Sequence, residues 1–88
     1  MNLIEFIMIV GRTPEAVRIL KFLASGEKAV YQVKERIGRE LVSTYLARLQ
    51  RAGILESDKR VKFRFYRIRQ DLRPEILEAI RLIGESDD

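Results

Sequence analysis

The sequence predicts an α+β domain, mainly helical, with one small β-hairpin. Three observations predict it. Between residues 13 and 53, apolar side chains recur at helical spacing in three stretches, each closed by a glycine. The stretch VKFRFYRIRQ, residues 61–70, then changes to strict apolar–basic alternation over its first five positions, the pattern of a half-buried strand. A last helical stretch follows and ends at Gly84. The length of 88 residues makes a single domain, 1–88, with one modest core.

The elements follow in order. The opening NLIEFIMIV leaves almost no polar face, so a helix there needs burial on several sides; it is read as helix, with a strand as the alternative. TPEAVRILKFLASG places Thr13 as N-cap and Pro14 at the first helical position, and Gly26 stops it. EKAVYQVKERIG sets Val30, Val33 and Ile37 on one face and ends at Gly38. RELVSTYLARLQRAG sets Val42, Tyr45, Leu46 and Leu49 on one face, with Arg39, Glu40, Ser43, Thr44, Ala47, Arg48 and Arg51 opposite, and stops at Gly53. ILES is a short strand, Ser57 to Arg60 a turn, and Val61–Arg69 the returning strand. The neighbouring Phe65 and Tyr66 break the alternation and point to a bulge. Pro74 opens the closing helix, whose stripe is Ile76, Leu77, Ile80 and Ile83.

Composition narrows the function. With no Cys and no His, the chain has neither disulfides nor thiolate ligands, and lacks the commonest metal ligand and general base. No nucleophile–base pair can be built in the usual way and no Gly-rich phosphate loop follows a strand, so neither an enzyme, a cofactor nor a metal is expected. The first ten residues are apolar but carry Glu5, lack a basic leader and are too short to span a bilayer. A cytoplasmic protein without a membrane partner is expected. The net charge of +4 hides an asymmetry: residues 1–70 hold 15 Lys and Arg against 7 Asp and Glu, and residues 71–88 hold 2 against 6. The basic body favours a polyanion. The Arg-, Glu-, Ile- and Leu-rich composition is of the kind found in heat-adapted proteins.

Helices followed by a two-stranded hairpin are the plan of a winged helix-turn-helix. GEKAVYQVKERIG, then VSTYLARLQRAGILES, then RVKFRFYRI resembles the winged-helix core of ArsR/MarR-type transcriptional regulators. Gly26, Val30, Val33, Ile37 and Gly38 match its first part. Val42, Ser43, Leu46, Leu49, Ala52, Gly53, Ile54 and Leu55 match the second, and Phe65 to Ile68 the end of the wing. GRTPEAVRILKFL resembles the preceding helix of archaeal members. The resemblance implies a helix-turn-helix over 27–53 and a wing over 54–69. It also implies an N-terminal segment and a C-terminal helix that pair across a two-fold axis. The metal-sensing members use Cys and His ligands, which this chain lacks.

On that plan, residues 39–52 are the recognition helix, with Arg39, Ser43, Thr44 and Arg48 facing the major groove of double-stranded DNA. Lys59, Arg60, Lys62 and Arg64 of the wing neutralise phosphates. Arg67 and Arg69 lie nearer the hairpin base. Because the strand has no acid and Asp58 stands alone in the turn, these cations are expected to be open. The aromatics Phe63, Phe65 and Tyr66 are expected in the core rather than as a base-stacking platform. Leu3, Phe6, Ile7 and Val10, with Ile76, Ile80 and Ile83, are expected to form a homodimer interface. The function expected is sequence-specific DNA binding by a small dimeric regulator. The alternative is a winged helix that binds protein in a transcription or replication assembly.

Overall fold

The structure, a computed structural model, describes residues 13–84, with side chains through residue 82. Helix α1 spans Pro14–Leu23, strand β1 Lys28–Ala29, helix α2 Val30–Ile37 and helix α3 Val42–Arg51. Strands β2, Leu55–Arg60, and β3, Phe63–Ile68, form the hairpin; a 3-10 turn, Gln70–Leu72, leads into helix α4, Arg73–Gly84. The sheet is antiparallel with order β1-β3-β2. Among the described residues the architecture is therefore α+β, four helices against a three-stranded sheet.

Helix α1 organises the core. Thr13 sits extended at its N-cap, Pro14 occupies the first turn, and Ala16, Val17, Ile19, Leu20 and Leu23 are all buried. Helices α2, α3 and α4 and strand β3 pack around it. Val33 comes from α2, Val42, Leu46 and Leu49 from α3, Leu55, Tyr66 and Ile68 from the sheet, and Ile76, Ala79 and Ile80 from α4. Burying each large aliphatic side chain contributes roughly 1.5–3 kcal/mol. The glycines end helices as the spacing predicts. At the end of α3 the Ile54 N–H donates to Leu49 O and the Gly53 N–H to Gln50 O, both at 3.0 Å. Gly53 has φ 84°, so the left-handed residue that this paired cap requires is present.

Five expectations are corrected. First, a third strand exists: the chain extends at Lys28–Ala29 before α2 and pairs with Tyr66 and Phe65. Helix α2 therefore starts at Val30, its entry held by the Ala29 N–H donating to Gln32 Oε1 at 2.8 Å. Second, α3 starts at Val42 rather than at 39. Leu41 takes a left-handed conformation, φ 65°, through which a right-handed helix cannot run, so Arg39 and Glu40 lie in the preceding turn.

Third, the hairpin reverses at Val61–Lys62, not at 57–60. Arg60 pairs with Phe63, which leaves two loop residues, and Val61 supplies the positive φ, 59°, that tight hairpin turns need at their first central position. Fourth, pairing runs without a bulge from Leu55↔Ile68 to Arg60↔Phe63. Period two then puts Arg64, Tyr66 and Ile68 on one face of β3 and Phe63, Phe65 and Arg67 on the other. Tyr66 is buried as expected, but Phe63 is 42% exposed and Phe65 half-buried on the outer face. The core reaches only the hairpin base, so alternation near the tip does not report burial.

Fifth, Ile76 and Ile80 lie in the domain's own core with Ala79, facing α1, and do not form an open stripe. The helical spacing was right, and the partner of the stripe is intramolecular. Leu3, Phe6, Ile7 and Val10, and the side chain of Ile83, lie outside the described residues.

Val61 is a β-branched residue held at positive φ with its side chain 94% exposed, so it is strained without compensating packing. Val61→Gly should raise stability by roughly 0.5–1 kcal/mol, the relieved strain less the extra unfolded-state entropy of glycine. Gly53→Ala should lower it by about 1–2 kcal/mol, since alanine is strained at φ 84°. Thermal unfolding checks both, at about 4–8 °C per kcal/mol for a domain of this size. A lower midpoint for Val61→Gly would contradict the turn geometry.

Candidate nucleic-acid interface

Helix α3 offers two outward stripes beyond its buried Val42, Leu46 and Leu49. Thr44, Arg48 and Arg51 form one, and Ser43, Ala47 and Gln50 the other, each at three- to four-residue spacing. Ser43, Thr44 and Arg48 are exposed, as the spacing predicts. The Arg48 guanidinium lies 5.7 Å from the Tyr45 ring centroid, which steadies a long side chain on a half-buried aromatic. Arg39 is exposed too, but in the turn before α3.

A polar relay ties this helix to the hairpin. Ser57 Oγ donates to Gln50 Oε1 at 3.0 Å, and Arg64 Nη1 donates to Ser57 Oγ at 3.0 Å. The relay sets Arg64 on the α3 side of the sheet. Its cross-strand partner on the same face is Lys59. Among the described residues neither Lys59 nor Arg64 meets a carboxylate. Two cations directly opposite each other on one strand pair repel, which costs the hairpin stability in the absence of an anion. Lys62 stands in the turn with its ammonium 5.5 Å from the Phe63 ring centroid.

The opposite face of the hairpin is electrically different. Arg60 Nη2 meets Glu27 Oε1 at 2.6 Å and its Nε meets Asp58 Oδ2 at 2.9 Å. The same guanidinium lies 4.1 Å from the Phe65 centroid. Arg67 Nη1 donates to Asp58 Oδ1 at 2.5 Å, and Arg67 also reaches Glu27 and Glu56 at 3.5 Å. The expectation that Asp58 stands alone in a turn is corrected: it lies inside β2, and Glu27 and Glu56 join it. Arg60 is thereby committed to carboxylates and does not share the face of Lys59 and Arg64.

The hydrogen bond from Arg67 holds the Asp58 carboxyl below the usual aspartate range, against the opposing effect of desolvation. The hydrogen bonds to Glu27 and to Asp58 raise the Arg60 and Arg67 guanidiniums respectively. Arg69 is taken up at the hairpin base. It pairs with Asp71 at 2.7 Å and donates to Gly53 O at 3.3 Å.

Of the eight residues expected at a DNA face, the structure thus brings Ser43, Thr44, Arg48, Lys59 and Arg64 to the α3 side. It leaves Arg39 in the preceding turn and Lys62 at the tip, and turns Arg60 away. Gln50 and Ser57, which connect the two parts, were not singled out by spacing. Only the strand register reveals them, because it puts Ser57 two residues from Lys59 on one face.

Among the described residues, no group of three or more carboxylates could hold a metal ion, and no helix is long and apolar enough to cross a membrane. No family model, curated protein or solved structure matches the chain.

Asp58 gives an acid-stability prediction. Because its pKa is lower folded than unfolded, its contribution is whole above the ordinary aspartate range and is lost as pH falls through the lowered value. Glu78, lowered by its hydrogen bond from Arg81, acts in the same direction. Urea midpoints measured from pH 5 to pH 2 should therefore fall less steeply for Asp58→Asn than for wild type. Identical slopes would mean that the Arg67–Asp58 bond does not persist in solution.

Proposed function

We propose that this chain is a winged helix-turn-helix domain of a small cytoplasmic transcriptional regulator that binds double-stranded DNA as a homodimer. Helix α3 lies in the major groove, with Ser43, Thr44 and Arg48 at base edges and Arg39 at the approach to the helix. The hairpin is the wing, with Lys59, Arg64 and Lys62 on phosphates. The observation that carries the reading is the sorting of charge across the hairpin: cations on the outer face are met by carboxylates, while those beside α3 are not. A duplex relieves the repulsion between Lys59 and Arg64 and releases counterions. Two copies related by a two-fold axis present two α3 helices to one duplex. Ile76 and Ile80 do not serve that contact, being core residues.

A second reading, a protein-interaction module, is favoured by a different observation. Tyr31, 51% exposed, and Phe63 lie on the outer side of the sheet with ring centroids 5.3 Å apart. Aromatic side chains of this kind are enriched at protein interfaces.

Salt dependence tests the first reading. Lys59→Ala and Arg64→Ala should each weaken duplex binding alike on all sequences and lower the log-affinity against log-salt slope by about one. Arg60→Ala and Arg67→Ala should leave the slope unchanged. Binding selection tests α3: replacing Ser43, Thr44 or Arg48 should change site preference, each base contact being worth about 1–3 kcal/mol. A protein that binds no duplex at low salt removes the reading.

A further inference from the structure

A second concentration of positive charge lies on α1 and α2 and shares no residue with the α3–hairpin face. Arg18, Lys21, Phe22 and Ser25 from α1 and its exit, with Arg36 and Ile37 from the end of α2, line a groove of about 480 Å³. That volume lies in the range of small-molecule sites. Among the described residues, three of the six that line it are cationic and none is acidic. Among the described residues neither Arg18 nor Arg36 meets a carboxylate.

The groove is partly preorganised. The Arg36 guanidinium sits 5.7 Å, and the Lys28 ammonium 5.0 Å, from the Phe22 ring centroid. Lys28 Nζ also donates to Ser25 Oγ at 3.1 Å, and Ser25 Oγ donates to Phe22 O at 2.9 Å. Lys21 and Arg36 lie in the last turns of their helices, where the macrodipole favours a cation. The dipole accounts for each of them separately. It does not account for Arg18, nor for its convergence with Arg36 on one concavity.

We propose that this groove binds a phosphate-bearing anion of mononucleotide size, its phosphate held by Arg18 and Arg36. Guanidinium forks match phosphate oxygens in pairs, and a phosphomonoester carries about −1.5 to −2 charges at neutral pH, which suits two guanidiniums better than a single carboxylate does. A bare tetrahedral ion would fill little of the volume. Phe22 and Ile37 give the organic part an apolar wall. The phosphate belongs either to a free nucleotide or to a nucleic-acid backbone, and the experiment separates these sources.

Calorimetry and thermal shift with ADP, AMP, adenosine and sulfate at matched ionic strength provide the test. If the source is a free nucleotide, ADP binds and raises the midpoint, adenosine does not, and sulfate does so far more weakly. Arg18→Ala and Arg36→Ala should then each weaken ADP by about tenfold or more. The Lys59→Ala/Arg64→Ala double variant, which tests the duplex reading, should leave ADP binding unchanged. If ADP does not bind below millimolar concentration but Arg18→Ala and Arg36→Ala weaken duplex DNA and reduce its salt slope, the phosphate is that of the backbone. Circular dichroism of each variant, with Arg18→Lys as a charge-preserving control, separates lost binding from lost fold. The proposal is overturned if neither ADP nor duplex responds to the two arginine variants, or if sulfate reproduces the whole effect of ADP.

Discussion

Burial of α1 from several sides at once is the constraint on which the rest of the domain depends. Ile19, Leu20 and Leu23 are completely buried, and the described elements that pack on α1 come from both near and far along the chain that follows it. A domain this small has little apolar surface to spare, so one central helix serving α2, α3, α4 and β3 is an efficient way to close a core. The arrangement also explains why α4 folds back. Its Ile76, Ala79 and Ile80 complete the enclosure of α1, and Arg73 reinforces the junction by donating to Ala24 O at 2.5 Å, at the exit of that helix. Truncating Leu20 to Ala would remove contacts from several elements together, and losses of about 2–5 kcal/mol are ordinary for such a site.

The hairpin shows what happens where the core stops. Its base is fixed by burial of Leu55, Tyr66 and Ile68, and there side-chain direction follows apolar content. Toward the tip neither face has a core to meet, so electrostatics decides. The outer face gathers Glu27, Glu56 and Asp58 against Arg60 and Arg67, and Phe65 lies beneath the Arg60 guanidinium. Exposed ion pairs contribute little individually. Their larger effect is to cancel charge on one side and leave the other side positive. Lys59 and Arg64 are held opposite each other by strand register, without a carboxylate to offset them, beside the exposed side of α3.

The helices were legible because their signals are local. Pro14, Gly26, Gly38 and Gly53 punctuate stretches with clear apolar stripes; Pro14 opens α1, and α1, α2 and α3 end within three residues of Gly26, Gly38 and Gly53. The errors arose where distant parts of the chain decide. The two-residue strand Lys28–Ala29 exists only because β3 is there to pair with it. The turn at Val61 was hidden because a valine at positive φ carries no turn signature, whereas the polar Ser57-Asp58 does. The stripe on α4 was read correctly, but an apolar stripe does not say whether its partner is another helix of the same chain. Half of the candidate interface was legible for the same reason: Ser43, Thr44 and Arg48 follow from helical spacing, whereas the roles of Gln50, Ser57 and Glu27 depend on register.

Helix α3 and the hairpin are joined so closely that they behave as one body. The cap at Gly53 and Ile54 delivers the chain directly into β2, and the Arg69 N–H at the end of β3 donates to Ile54 O at 3.0 Å. The Arg69 side chain then holds Gly53 O while Asp71 braces its guanidinium. In the last turn of α3, Gln50 makes the second tie through Ser57 and Arg64. Both connections leave the C-terminal end of α3 and meet the hairpin at different points, one at its base and one further along it, which resists rocking of the hairpin relative to the helix. In the proposed complex this matters more than any single contact. Phosphates grip without regard to sequence, so they aid discrimination only if the grip fixes where the helix lies in the groove. A hairpin hinged loosely on α3 would supply affinity and leave the register free; a braced one converts the same phosphate contacts into a fixed position for Ser43, Thr44 and Arg48.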